Sequence, residues 1–183
     1  MRTLKKLDIS KSISSKRLVV EESWFDKLDD FFNYFLFISL VIFSILTLKE
    51  INPNSPNDTL GYYIFPLVIF FCLYGFYCKF SEKHLKEIKF EIHKEDAKQR
   101  ILEFGKKYGY RISKISSDLI FFNKLTSESD FVPGNYEKTI VIFFKNNCIL
   151  YTSIREGWRL NFPVLFSQHI IKRNLKKILK TNK

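Results

Sequence analysis

The sequence predicts an α+β protein in two parts: an N-terminal hairpin of two transmembrane helices, then a cytoplasmic β-α-β-β-β-β-α domain built on one antiparallel sheet. Three observations carry this. Two uncharged apolar runs, 31–48 and 61–78, stand near the N-terminus. Behind them apolar residues either alternate with Lys and Glu or recur at helical spacing. Asn146 and Asn147 divide two β-branched and aromatic stretches, the pattern of a β-hairpin. The chain divides accordingly into a basic leader (1–30), a first span (31–48), an external loop (49–60), a second span (61–78) and the cytoplasmic domain (79–183).

As a helix, the first run covers roughly 27 Å, close to the hydrocarbon thickness of a bilayer. Asp26, Lys27, Asp29 and Asp30 bound it on one side, Lys49 and Glu50 on the other. The second run carries Tyr62, Tyr63, Tyr74 and Tyr77 toward its ends, as an interfacial aromatic belt does. The charged stretch ahead of the first run is too long for a signal-peptide n-region, and no A-x-A site follows, so cleavage is not expected.

Arg2, Lys5, Lys6, Lys11, Lys16, Arg17 and Lys27 precede the hairpin, and Lys79, Lys83, Lys86, Lys89 and Lys94 follow it. The connecting loop holds only Lys49, beside Pro53 and Pro56. The positive-inside rule then puts both termini on the cytoplasmic side of a bacterial inner membrane. Neither run contains Asp, Glu, Lys, Arg or His, which argues against a transporter or proton relay. Pro66 and Gly75 are read as ordinary membrane-helix residues. Residues 17–30 are open to two readings: a short amphipathic helix in the headgroups, or a helical extension of the first span.

In the domain, Ile88, Phe90 and Ile92 alternate with Lys89 and Glu91, predicting a strand over 86–92. A helix follows over 94–109, with Glu95 and Asp96 in its first turn, Lys106 and Lys107 in its last and Gly109 beyond. Strands are expected over 110–115 and 118–124, with Ser116 and Ser117 between them, and over 138–145 and 148–154 about a type I′ turn at Asn146-Asn147. Loops fill 125–136 and 155–166. Ser167 is expected to cap a closing helix whose apolar stripe is Ile170, Ile171, Leu175, Ile178 and Leu179. The element order is similar to the TATA-binding-protein-like fold in topology alone, which implies no DNA binding. A pleckstrin-homology-like barrel is the alternative.

The segments FEIHKEDAKQRILEFGKKYGY, TIVIFFKNNCILYTSI and RNLKKIL carry a resemblance. The matching positions are Ile140, Ile142, Phe144, Asn147, Ile149, Leu150, Ser153, Ile154 and Asn174. Over about half its length the chain resembles a group of uncharacterised membrane-anchored proteins of Bacteroidetes. The resemblance implies fold and lineage, and no activity. Thr152 stands where that group more often has Asn.

The net charge of +11 fits an anionic membrane surface, an acidic partner or a nucleic acid. Nucleic acid is not expected, because no surface interleaves aromatic and basic residues. Cys72, Cys78 and Cys148 form neither a disulfide framework nor a CxxC pair. His84, Glu87, Glu91 and His93 do not gather at ligand spacing, so no metal or cofactor is expected. His169 has no acidic partner nearby and reads as an exposed residue. Ser153 lacks the surroundings of a nucleophile, and no phosphate loop or paired carboxylates occur, so the chain is not read as an enzyme.

The candidate binding residues are Arg155, Trp158 and Arg159 in the loop after the last strand, with Lys172, Arg173, Lys176 and Lys177 on the closing helix. Charge and stacking at such positions suit an anion, a lipid headgroup or an acidic peptide. The reading these residues favour is a membrane-tethered interaction or regulatory module. Its partners would be membrane lipids together with a protein partner or a second copy of the chain. The alternative is a membrane-acting effector or immunity-type protein of bacterial conflict, and a membrane-bound enzyme comes third.

Overall fold

The computed structural model describes residues 7–52, 55, 58–116, 118–125, 137–156 and 163–180. The leader holds a short helix, α1 (Ile9–Ser15), capped by Asp8, whose carboxylate accepts from the Lys11 amide at 2.9 Å. The apolar runs lie in α2 (Trp24–Glu50) and α3 (Thr59–Ser81), each long and apolar enough to cross a membrane. Ser23 and Asp26 close a capping box at the start of α2, so residues 24–30 are helix continuous with the first run. Val19 and Val20, ahead of them, are not helical. Pro53 and Pro56 of the expected external turn lie outside the described residues.

α2 and α3 pack closely where Phe37 lies over Gly75: a Cβ on that glycine would sit 2.8 Å from the ring. Tyr34–Phe76 and Phe43–Phe65 continue the contact. The outward side chains stay uncovered, Leu67 by 68% and Phe70 by 72%. Apolar exposure on that scale marks a surface that meets lipid or another protein.

β1 (Lys86–Lys89), α4 (Lys94–Lys107), β2 (Arg111–Ile115), β3 (Leu119–Leu125), β4 (Glu137–Lys145), β5 (Cys148–Glu156) and α5 (Ser167–Leu179) follow in the expected order. The five strands form one antiparallel sheet in the order β1-β5-β4-β3-β2. The sheet is open, with β1 and β2 at its edges, which sets aside the barrel alternative. β1 stops at Lys89 rather than at residue 92, because its partner β5 begins at Cys148, directly opposite. Of the two turn asparagines only Asn146 takes a positive φ, 48°, rather than the two that a type I′ turn needs. Ser167 is the first residue of α5 and not its cap; Phe166 holds the cap position and supplies no side-chain bond. The expected loop at 126–136 lies outside the described residues, as do Ser117 and 157–162.

One face of the sheet carries Ile88, Ile120, Phe122, Ile140, Ile142, Phe144, Ile149 and Tyr151, covered by Ala97, Ile101 and Phe104 of α4 and Ile171, Leu175 and Leu179 of α5. Gly105 lets α4 approach, since a Cβ there would meet the Phe122 ring at 2.6 Å. The opposite face carries Leu119, Phe121, Val141, Phe143, Leu150 and Ile154. Helices on one face were the expectation; the leader covers the other, through Leu18 with Leu7, Ile9, Ile13 and Val20. It is stitched down by backbone bonds from Leu18 N–H to the Lys83 carbonyl (2.7 Å) and from Leu85 N–H to the Lys16 carbonyl (2.9 Å). Leu18 is 6% exposed. Leu18→Ala should therefore lower stability by about 2–4 kcal/mol, read as a drop in the thermal midpoint of the detergent-solubilised chain.

Candidate functional site

Where α3 leaves the hairpin, charges that merely bounded the apolar runs in sequence meet in space. The Lys79 ammonium, its side chain 1% exposed, lies 3.0 Å from Asp30, 3.4 Å from Glu82 and 3.7 Å from Asp29. Lys83 adds contacts to Asp30 at 2.8 Å and to Glu22 at 2.5 Å. Burial alone would lower the Lys83 pKa, but the Asp30 and Glu22 carboxylates outweigh it and hold that ammonium above its ordinary value. The network reaches the sheet directly: the Thr152 hydroxyl of β5 donates to the Glu82 carbonyl at 2.6 Å. The middle of β5 thus lies beside the hairpin exit.

Arg155 lies three residues further along β5. Cross-strand register sets it opposite Lys138 of β4, and Lys138 opposite Lys124 of β3. Side-chain alternation directs all three to the face that carries Tyr151 and Ser153. Like charges directly opposite one another destabilise a sheet. Among the described residues, no carboxylate pairs with any of the three. Burial first, then Arg155 and Lys124, pull the Lys138 pKa down to about 8. The Tyr110 ring, 5.8 Å from its ammonium, steadies Lys124. Ser153 is 3% exposed and Tyr151 1%, and among the described residues neither hydroxyl has a hydrogen-bond partner. An unsatisfied buried hydroxyl costs about 1–3 kcal/mol. Trp158 and Arg159 lie outside the described residues.

The second group of candidates lines α5. Lys172, Arg173, Lys176 and Lys177 are all exposed, opposite the buried stripe of Ile171, Leu175 and Leu179. Ile170, expected in that stripe, faces outward at 54% exposure with Phe166 at 64%, because Gln168 and Ile171 take the inward positions. Phe166 stacks on Tyr74 of α3, ring centroids 5.4 Å apart, and His169 hydrogen-bonds the Tyr74 hydroxyl at 3.3 Å. The Lys86 ammonium donates to the Gln168 side-chain carbonyl. The start of α5 is therefore drawn against the hairpin.

The other polar candidates have separate roles. Glu87 pairs with Lys16 at 2.7 Å, His84 lies against Phe80, and His93 precedes α4. Among the described residues no three potential metal ligands converge. Sequence reading missed Lys124 and Lys138. The signal was present, because pairing strands about Asn146-Asn147 sets Lys138 opposite Arg155 by counting alone. No family model matches the chain, and neither a curated protein nor a solved structure matches it.

A lysine whose pKa is lowered on folding opposes folding while charged. That opposition is fully present below about pH 8 and fades as pH rises toward the unfolded value. Lys138→Met should therefore stabilise the protein at pH 7, by on the order of 1 kcal/mol once solvent screening is allowed for. The advantage should vanish by about pH 10.5, which thermal melts of both proteins across that range measure.

Proposed function

We propose that the chain is a membrane-tethered interaction module. In this reading α2 and α3 cross a bacterial inner membrane, both flanking segments lie on the cytoplasmic side, and the sheet domain presents a basic surface to the leaflet and to an acidic protein partner. The observation that carries it is the docking of α5 on the hairpin. Tyr74, inside the second apolar run, is stacked by Phe166 and bonded to His169, so the domain reaches the lipid-facing helices themselves. Phe166 and Ile170 then join Tyr77 and Phe80 as exposed apolar side chains at the foot of the hairpin. The Lys172, Arg173, Lys176 and Lys177 face begins directly beyond them. Apolar anchors followed by cations suit a headgroup interface, where each basic residue adds about 1 kcal/mol of attraction to an anionic leaflet. The distribution of Lys and Arg about the hairpin supports the orientation.

A second reading, a membrane-acting effector or immunity-type protein, draws on the hairpin. Phe37, Ile38, Val41, Ile42, Cys72, Leu73 and Phe76 line an apolar groove of about 260 Å³ that suits a helix of another copy.

One purification separates the two. The full chain is extracted from its native membrane in mild detergent, and the mass and composition of the complex are determined. The module reading expects a stoichiometric acidic protein with bound anionic lipid. Both should be lost at high salt and in the Lys172→Glu, Arg173→Glu, Lys176→Glu, Lys177→Glu variant. A homo-oligomer alone, unchanged by that charge reversal, overturns it and moves the function to the hairpin.

A further inference from the structure

The sheet end that carries Arg155 has a feature that the module reading leaves unused. Three cations occupy directly opposed positions on three adjacent strands, Lys124, Lys138 and Arg155. Neighbouring strands lie about 4.8 Å apart, so the row spans roughly 10 Å. Folding places like charges where they repel, and Lys138 is also half-buried. Inside the row, Ser153 precedes Arg155 by two positions on the same strand face and lies diagonal to Lys138. Its hydroxyl is buried and, among the described residues, has no partner. Among the described residues no carboxylate pairs with these cations, and position 153 holds a hydroxyl where a small apolar residue would cost less. Opposed cations with an idle donor beneath them are what an anion with several acceptor oxygens completes.

We propose that Lys124, Lys138, Arg155 and the Ser153 hydroxyl form a binding site for a phosphate group, a phosphomonoester or phosphodiester carried by a leaflet lipid or by a soluble ligand. Arg155 supplies the fork that engages two phosphate oxygens, and the lysines act as point charges on the remainder. Ser153 donates from below. Thr152, three residues before Arg155, meets Glu82 at the hairpin exit from the opposite sheet face, so the site lies on the strand that abuts the hairpin. The site is separate from the α5 face: it needs neither Lys172 nor Lys176, and it rests on the module reading only for the lipid as a source.

The test uses the full chain in phosphatidylcholine nanodiscs, with thermal unfolding as the readout. Inorganic phosphate is titrated against chloride at matched ionic strength, and a parallel series replaces part of the neutral lipid with phosphatidylglycerol. A ligand that binds only the folded state raises the midpoint. The wild type should gain several degrees in phosphate, in phosphatidylglycerol, or in both. A response to phosphate alone marks a soluble ligand, and a response to phosphatidylglycerol alone marks a lipid. Lys138→Met and Arg155→Met should each lose most of the gain, Ser153→Ala should lose part of it, and Lys106→Met, exposed on α4 away from both basic surfaces, should keep it in full. Lys138→Met should also melt higher than wild type without phosphate, which separates loss of binding from loss of folding. The proposal is overturned if neither probe exceeds chloride in the wild type, or if Lys138→Met and Arg155→Met respond as the wild type does. It is also overturned if Lys138→Met melts lower without phosphate. A charge-reversed α5 face that keeps the phosphate response and also keeps its acidic partner and anionic lipid would sink the module reading's use of α5 and leave this site standing.

Discussion

The structure depends on one buried ammonium. Lys79 sits at the foot of the hairpin with its side chain 1% exposed, and a cation so enclosed costs several kcal/mol unless carboxylates surround it. Asp29 and Asp30 come from α2, while Lys79 and Glu82 stand at the end of α3. Sliding one helix along the other would strand the charge, so the network fixes the axial register that also seats Phe37 over Gly75. Polar groups beside an apolar hairpin specify one arrangement more strictly than apolar packing does, because the alternatives leave charges unpaired.

The same few residues set the position of the domain. Glu82 and Lys83 offer their carbonyls to Thr152 of β5 and to Leu18 of the leader. Hairpin, sheet and leader therefore meet within a five-residue stretch, 81–85. The leader then covers the sheet face that α4 and α5 leave open. Phe166 and His169 tie the far side of the domain to Tyr74. Two attachments on opposite faces of one sheet leave the domain little freedom to swing from the hairpin.

Much of this was legible in the sequence. The hairpin follows from two uncharged runs, and β4–β5 from Asn146-Asn147. The register about that turn also encodes the Arg155–Lys138 pair, though a charge list read along the chain does not show it. α1 was not legible, because ISKSISS has neither a clear apolar stripe nor an acidic first turn. A subtler signal did exist. TIVIFF and LIFF do not alternate, and a strand apolar at every position is buried on both faces. Something had to cover the second face, and the leader was the segment left over. The pairing of Asp29 and Asp30 with Lys79 is a tertiary fact; in sequence these residues look like ordinary boundary charges. Ser167 misled because an N-terminal Ser resembles a cap wherever the helix happens to begin one residue early.

The central claim is that the Lys79 network couples hairpin, leader and sheet into one unit. Hydrogen–deuterium exchange on the full chain in nanodiscs, wild type against Lys79→Met, tests it most directly. Coupling predicts that residues 7–20, the last turns of α3 and the middle of β5 lose protection together, while β3 and α4 stay protected. A change confined to α3, with the leader and β5 unaltered, would contradict the account and reduce Lys79 to a local feature of the hairpin.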